Sequence, residues 1–396
     1  MQERGQRPQP QRRPEFPAKL PAAKLLARQV SKRLDTCIAR ASQGLDTQRT
    51  SRDDLLGSVQ PARLAQGLLW RDAMHAVASQ RVEDSDTNRL AARADARCGV
   101  AALIYSSEFS VRTDDKLKDE DNAGWLLTLP APERADWLAV LQWIRLPDRL
   151  LERETLDGVD ATTPAAYGYA DFMQDWRSLR AGRLPLCSPF VELFASLSDR
   201  WRRENLAEDE LRAWDSYLEA LWRYRYPDAV IHTDADYEAA LCRMSGPCFQ
   251  ALPGKPRGLH DAAGALGAID QFFNNLRDFE EDTRRGICYF SSAQLQRFGL
   301  RRNELAGLVG SSDARLVALY ECLLSKLVPT LQKRASKLLE APGLSAAWRE
   351  LRHQVGLRHS RIEYVARRCR FNALAFQQEY WPLVAQDLAF AARRND

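Results

Sequence analysis

Residues 271–290, QFFNNLRDFEEDTRRGICYF, place two aspartates one helical turn apart. Asp278 and Asp282 follow Asn274 at steps of four, and a separate apolar stripe repeats at steps of three and four from 266 to 276. This periodicity predicts a helix over 262–283 with both carboxylates on one face. Carboxylates at such spacing can jointly hold Mg²⁺, which prefers one or two carboxylates together with waters and substrate phosphate oxygens.

The spacing alone is weak support for a metal site. With 53 acidic residues among 396, chance gives roughly seven acidic pairs at this spacing, and most such pairs lie on solvated helix faces. A second acidic segment is therefore needed to distinguish a site from a wet surface.

FSVRTDDKLKDED, residues 109–121, is the candidate second segment. Asp119 lies four residues after Asp115, and Arg112 precedes both. The alternative interpretation is a solvated charge run, because lysines and further acidic residues crowd the same stretch. If the two segments face each other, their carboxylates form one cation site.

The elements that must position these residues are helices. Apolar residues recur at helical spacing and no alternating strand run or G-x-G-x-x-G is present, so we predict an all-α protein. Tail residues 1–22, rich in Pro, Arg and Gln, are predicted to be a disordered basic tail, and 23–396 one domain. The helical patterns lie at 136–144, 188–201, 213–224, 312–340 and 361–393, with loops at 156–165 and 253–258.

Composition excludes several classes of protein. A net charge of +4 is too small to indicate a nucleic-acid partner. The eight cysteines form no C-x-x-C pair, which is typical of reduced cytoplasmic thiols. No apolar run approaches the roughly 18–20 residues of a membrane-spanning helix.

The complete downstream string carries more information than its two aspartates. Q-x-x-N-x-L-R-D-x-x-E-D-x-R-R-G-x-x-Y, beginning at Gln271, closely resembles the second aspartate-rich signature of the squalene and phytoene synthases. These are head-to-head prenyltransferases with the all-α isoprenoid-synthase fold, a large helical bundle around a central cavity. The segment 109–121 resembles the family's first signature, R-T-D-[DE]-x-x-D, with one extra residue before the last Asp.

The resemblance implies roles for particular residues. Two prenyl diphosphates, farnesyl or geranylgeranyl, would condense through a cyclopropyl diphosphate to a squalene- or phytoene-type hydrocarbon. The implied cofactor is Mg²⁺, with Mn²⁺ as an alternative, and the use of NADPH is left open. The implied catalytic residues are Asp115, Asp119, Asp278 and Asp282, which with Asn274 also bind metal; the implied diphosphate-binding residues are Arg112, Gln271, Asn274, Arg277, Arg284 and Arg285.

One segment departs from the family pattern. In 236–246, DYEAALCRMSG, Ala240 and Cys242 stand where the family usually has tyrosines. This departure favours one alternative, a class I terpene cyclase that acts on one diphosphate. A second alternative is a non-catalytic relative with an assembly or scaffold role, against which the intact acidic pairs argue. Chain length of the substrate and oligomeric state, monomer or homodimer, are also open.

The C-terminal stretch 371–392 is strongly apolar and contains Pro382, which we expect to kink the helix. The simpler interpretation is a helix packed on the core. The alternative is peripheral contact with the inner face of a membrane, assisted by the basic tail.

Overall fold

The structure is a computed structural model that describes the backbone of residues 113–156, 167–204, 208–224, 228–255 and 258–394. The predicted tail 1–22 and Arg112 lie outside the described residues, as does the side chain of Asp115. Within the described ranges every regular element is a helix. The all-α prediction is confirmed.

The first half of the described chain consists of seven α-helices and one 3₁₀ turn at Gly124–Thr128. The helices are α1 Thr113–Ala123, α2 Ala131–Leu156, α3 Tyr169–Arg180, α4 Val191–Glu204, α5 Glu208–Tyr224, α6 Asp234–Met244 and α7 Gly246–Gln250.

The second half has eight α-helices within its described residues. They are α8 His260–Arg277, α9 Phe279–Arg284, α10 Ser292–Arg297, α11 Leu305–Leu308, α12 Ala314–Cys322, α13 Val328–Leu339, α14 Ala346–Arg368 and α15 Ala373–Arg394. A 3₁₀ turn, Arg302–Glu304, precedes α11, and a π-helical turn, Leu323–Leu327, joins α12 to α13.

Helix α8 is the central element of this bundle and contacts α6, α7, α13 and α14. Every residue from 262 to 270 is buried. Glycines allow the close approach of α8 to the α6–α7 junction: a Cβ on Gly267 would lie 2.5 Å from the Ser245 carbonyl oxygen, and one on Gly246 would lie 3.2 Å from that of Gly264. The position of α8 is therefore fixed by backbone-to-backbone packing.

Aromatic packing joins α2, α3 and α5. The Trp143 ring lies 4.9 Å from that of Trp176 and 4.1 Å from that of Trp214, and all three are buried. These helices contain or overlap two of the amphipathic patterns seen in the sequence, 136–144 and 213–224, and α4 overlaps the pattern at 188–201. The periodic spacing thus located the helices because their apolar stripes face the core.

Two predicted helices differ from the observed ones. The stretch 262–283 is divided at Asp278, where α8 ends and α9 begins. The pattern at 361–393 is interrupted between α14 and α15, where Arg370 and Phe371 have φ values of 50° and 55°. Asn372 starts α15 by accepting a 3.0 Å hydrogen bond from the Ala375 amide. No glycine marks this left-handed turn, so periodicity alone missed it.

Helix α15 is continuous through Pro382. Its Phe376, Tyr380 and Val384 are buried along one face, which favours the core interpretation, whereas Leu374 is exposed. Within the described ranges, no helix is both long enough and apolar enough to cross a membrane. Peripheral membrane contact and cytoplasmic localisation stay predictions.

Candidate functional site

Asp278 lies at the junction of α8 and α9, and its carboxylate accepts hydrogen bonds from the preceding residue, Arg277. Arg277 donates to both oxygens, Nε to Oδ1 at 3.0 Å and Nη2 to Oδ2 at 2.9 Å. Arg277 is itself buried, against the Trp381 ring. Burial alone would raise the pKa of Asp278, but the charges of Arg277 and Lys118 outweigh it and hold that pKa well below its usual range. These two cations therefore favour the ionised form of Asp278.

Asn274, one turn before Asp278, presents an unpaired oxygen. Its Nδ2 donates to Asp270 Oδ2 at 3.2 Å, and an ionised carboxylate can only accept, which fixes the orientation of the amide. The Oδ1 atom is buried and has no hydrogen-bond partner among the described residues. Asp270 is held in turn by Arg358 and by His359 Nε2 at 2.9 Å. A buried chain of contacts thus positions one acceptor beside the acidic face.

Lys118 of α1 reaches this face from the opposite side. Its ammonium donates to Glu281 Oε2 at 2.5 Å and lies 3.5 Å from Asp278 Oδ1. Burial would lower the pKa of Lys118, but Asp278 and Glu281 outweigh it and raise that pKa above 10.5. Glu281 also pairs with Arg285 at 2.7 Å. The two acidic segments therefore do meet, and they meet through a lysine.

Asp119, the neighbour of Lys118, has a different environment. Its carboxylate is 2% exposed and lies 3.1 Å from Arg145 Nε and 3.9 Å from Arg149 Nη2, both on α2. Asp115 lies in α1, but its side chain is outside the described part of the chain, as is Arg112. The convergence of Asp115 and Asp119 with Asp278 and Asp282 on a single cavity therefore stays a prediction, and the described contacts of Asp119 do not favour it.

The other residues implied in diphosphate binding have local partners. Gln271 Nε2 donates to Asn275 Oδ1 at 2.7 Å. Arg284 pairs with Glu280, and 69% of its side chain is exposed. An arginine in an exposed pair can exchange partners at little cost, so Arg284 is the freest guanidinium of this group.

Asp282 lines a small cavity of about 20 Å³, which has room for about one water molecule. The cavity wall is mostly aromatic and aliphatic, with Tyr237, Phe272, Phe279, Tyr289, Phe290 and Tyr320 among its residues. A second, more open cavity of about 420 Å³ is lined by Thr283, Gly286 and Arg302. Ile287 and Cys288 line both cavities. A prenyl chain would enter the first cavity only if aromatic side chains moved.

The helix that lacks the expected tyrosines still brings one to this cavity. Ala240 is buried in α6, Cys242 is half-buried, and Tyr237, one turn before Ala240, lines the cavity beside Asp282. Burial raises the pKa of Tyr237 above its usual value, so its hydroxyl stays protonated. The sequence signal for Tyr237 was only its place in the stretch 236–246.

Hard oxygen donors on α8 and α9 fit a divalent cation. Asn274 offers its unpaired Oδ1, and Asp278 keeps lone pairs on both oxygens beyond those used by Arg277. Asp119 fits less well, because its carboxylate is buried against two arginines. Among the described residues no three His, Cys, Asp or Glu side chains are grouped closely enough to hold a metal ion.

Comparison with known proteins agrees with the sequence signatures. The sequence model of the squalene/phytoene synthase family matches residues 116–349. The chain belongs to the squalene/phytoene synthase family. The matched range covers the second acidic stretch completely and begins within α1, after Asp115.

Similar curated proteins of this family are phytoene synthases. Chloroplastic phytoene synthase 2 of Solanum lycopersicum is 29% identical over 217 residues, which is 53% of this chain and 62% of the tomato protein. The chloroplastic phytoene synthase of an Oncidium hybrid cultivar is 29% identical over 238 residues, covering 56% of this chain and 50% of that protein. The matched part of the chain therefore spans only about half to three fifths of these relatives.

A solved structure shows the same fold. The crystal structure of a dehydrosqualene synthase in complex with ligand has a TM-score of 0.55 with this chain at 18% identity, covering 74% of this chain and 96% of that one. At that identity the likeness establishes the fold alone. The predicted all-α isoprenoid-synthase fold is confirmed.

Sequence reasoning missed three residues that shape this site. In the sequence, Lys118 is one of the lysines of a charged stretch. Asp270 is separated from its partner His359 by 89 positions. Arg145, the partner of Asp119, lies on a different helix. No local pattern could identify these pairs, because each joins residues far apart in sequence. The one available signal was the charge of Lys118 inside an otherwise acidic signature.

Proposed function

We propose that this protein condenses two prenyl diphosphates head to head, through a cyclopropyl diphosphate, to a squalene- or phytoene-type hydrocarbon. Membership of the squalene/phytoene synthase family supports the reaction class. The observation that carries the proposal is the acidic face of α8 and α9, where the Asp278 carboxylate, held by Arg277, lies one turn from the unpaired oxygen of Asn274. Such a face binds a cation, and through it a diphosphate.

Asn274, Asp278 and Asp282 would hold Mg²⁺ or Mn²⁺ in this proposal, with Asp115 and Asp119 as further ligands implied by the family signature. When bound, the ion supplies the Lewis acidity that neutralises a departing diphosphate. Arg277 keeps Asp278 in place and ionised, since both its fork donors point at that carboxylate. Arg284 and Arg285 can move from Glu280 and Glu281 to phosphate oxygens, which suit bidentate guanidinium contacts.

The apolar part of the reaction needs a dry, aromatic environment for the carbocation. The cavity beside Asp282 has such a wall, including Tyr237, Phe279 and Tyr320. Because the volume of this cavity is about 20 Å³, we propose that these aromatic side chains move apart when the prenyl chain binds. The faces of these aromatic rings would then lie beside the reacting carbons.

A second candidate is a class I cyclase that ionises one prenyl diphosphate. Two observations favour it: Ala240 and Cys242 replace the tyrosines of the family pattern, and only one of the two acidic segments presents described carboxylates suited to a metal. The two candidates differ in product size, because the cyclase leaves the carbon number unchanged.

The test is incubation of the purified chain with Mg²⁺ and farnesyl or geranylgeranyl diphosphate, with and without NADPH, followed by mass spectrometry of the extracted hydrocarbon. A C30 or C40 product supports condensation, and dependence on NADPH identifies the squalene type. A C15 or C20 cyclic product supports the cyclase instead. Binding of the diphosphate without turnover indicates the non-catalytic alternative. Absence of both binding and turnover rejects the proposal.

A further inference from the structure

The Lys118 ammonium lies between two carboxylates, where a metal ion could also bind. Its ammonium lies between α1 and the α8–α9 junction, in contact with Glu281 Oε2 at 2.5 Å and 3.5 Å from Asp278 Oδ1. Only 17% of the Lys118 side chain is exposed. A cation enclosed between two carboxylates does electrostatically what a bound divalent ion does: it lets like charges lie close together.

The carboxylates of this face already have cationic partners among the protein's own side chains. Asp278 lies against Arg277 and Lys118, and Glu281 against Lys118 and Arg285. Carboxylates paired in this way attract divalent cations less strongly than the same carboxylates would without one of these positive charges.

The orientation of α1 makes this arrangement specific to Lys118. Successive helical residues are about 100° apart around the axis, so with Lys118 turned toward α9, Asp119 turns toward Arg145 on α2. The helix thus presents an ammonium to the acidic face and commits the adjacent carboxylate to the core. Both neighbours are anchored by ion pairs with different helices, which fixes the rotation of α1.

We propose that the Lys118 ammonium is a built-in cation of the diphosphate site, taking the place of one divalent ion between Asp278 and Glu281. The inference rests on the proposed function in one respect: the anion that the ammonium meets when a ligand arrives is a diphosphate. The site therefore holds fewer divalent ions than the same carboxylates would attract without the lysine. The lysine also provides one contact to the phosphate oxygens that needs no metal.

The first test is Mn²⁺ binding to the full chain, followed by electron paramagnetic resonance of free Mn²⁺. Lys118→Gln removes the ammonium and is expected to strengthen Mn²⁺ binding by about ten-fold, because one positive charge within 4 Å of the carboxylates is lost. Lys118→Arg keeps the charge and should bind Mn²⁺ as the wild type does. Lys333→Gln, at an exposed position of α13, is the matched control for loss of a lysine.

The second test is calorimetric titration with inorganic pyrophosphate in the presence of a chelator. Wild type is expected to bind pyrophosphate measurably without metal, and Lys118→Gln to bind it at least several-fold more weakly. Thermal melting checks that each variant is folded, and Lys118→Met provides a second neutral side chain of similar length if the glutamine variant is unstable.

Unchanged or weaker Mn²⁺ binding in both neutral variants overturns the inference, as does an absence of Mn²⁺ binding in every form. Stronger Mn²⁺ binding without any hydrocarbon product leaves Lys118 as a built-in cation and rejects the proposed function. Hydrocarbon formation by the wild type, with Mn²⁺ affinity unchanged in the neutral Lys118 variants, supports the proposed function and overturns the built-in cation. The two ideas therefore fail separately.

Discussion

The two acidic segments use similar residues in different ways. At the junction of α8 and α9, Asp278 is partly buried against Arg277 and Lys118, and Asp282 one turn later lines a cavity. On α1, Asp119 and Asp121 are each 2% exposed and are paired with arginines of other helices. The spacing of carboxylates is thus a poor guide to their use. The partners that the fold brings to them decide whether they bind ligand or hold helices together.

The partners of α1 are structural. Asp121 accepts a 2.6 Å hydrogen bond from the Tyr380 hydroxyl and pairs with Arg361, which also pairs with Asp387. These contacts join α1 to α14 and α15. In contrast, α8 is positioned by glycine contacts of its backbone, and Asp278 at its C-terminal end pairs with Arg277 and Lys118 beside the candidate site.

The largest expected effect is on stability and concerns Asp119. Asp119→Asn leaves Arg145 and Arg149 with less compensation in a buried position, so we expect the free energy of unfolding to fall by about 3 kcal/mol. Urea denaturation measures the change. Asp136→Asn is the control, because its pair with Arg203 is largely exposed and should cost less than about 1 kcal/mol.

The comparison breaks if Asp119→Asn is as stable as wild type and binds Mn²⁺ more weakly. That result would make Asp119 a metal ligand, as the family signature implies, and would place its carboxylate at the same site as Asp278. A loss of stability with unchanged Mn²⁺ affinity keeps the two segments distinct.

Asp278→Asn should be distinguished from Asp119→Asn by its effect on turnover. It keeps the size of the side chain but removes a charge that the cation needs, so turnover of prenyl diphosphate should fall by about 10²-fold or more, with little change in fold. Circular dichroism and product quantification measure both properties. Asp261→Asn, at an exposed position in the first turn of the same helix, should leave turnover unchanged; normal turnover in Asp278→Asn would remove the metal role.

Much of the fold could be predicted from the sequence because amphipathic spacing is local. The helices around 136–144, 188–201 and 213–224 were found in this way, and the downstream signature identified the site-bearing helix. The upstream signature was less informative. In the pattern R-T-D-[DE]-x-x-D the last Asp falls at position 118, where this chain has lysine, and only the tertiary structure shows that this lysine faces Asp278.

Breaks within helices were also beyond local reasoning. The junction at Asp278 retains the hydrogen bond from its amide to the Asn274 carbonyl at 2.9 Å, so the side-chain periodicity continues across it. The turn at Arg370 and Phe371 places two residues in the left-handed region that neither prefers. Tertiary packing of α14 against α15 selects that turn, and packing is not visible in a single sequence.

Gly267→Ala tests the statement that glycines hold the site-bearing helix in place. The new Cβ would lie 2.5 Å from the Ser245 carbonyl oxygen, so we expect a loss of about 1–3 kcal/mol in stability. Weaker Mn²⁺ binding should accompany it, because α8 must shift. Gly307→Ala is the matched control, since no heavy atom lies within 4 Å of its added Cβ. Equal stability of the two variants would contradict the close-packing argument.

The smallest expected effect is a pH dependence of stability, and it concerns the structural part of α8 around Asp270. Asp270, one turn before Asn274, is buried like the carboxylates of α1 and accepts from Arg358 and His359. Burial lowers the pKa of His359 below 6.5, although Asp270 acts to raise it. The folded protein therefore prefers the neutral imidazole, more so than the unfolded chain does.

The pH dependence follows from that direction. A lowered pKa in the folded state contributes stability that is complete above 6.5 and is lost as the pH falls through the folded-state value. Below about pH 6 the wild type should lose stability more steeply with falling pH than His359→Gln, which has no titrating group at this position. His353→Gln, exposed on the same helix, should keep the wild-type slope. Denaturation series between pH 5 and 8 measure the slopes, and identical slopes for wild type and His359→Gln would show that folding does not lower the pKa of His359.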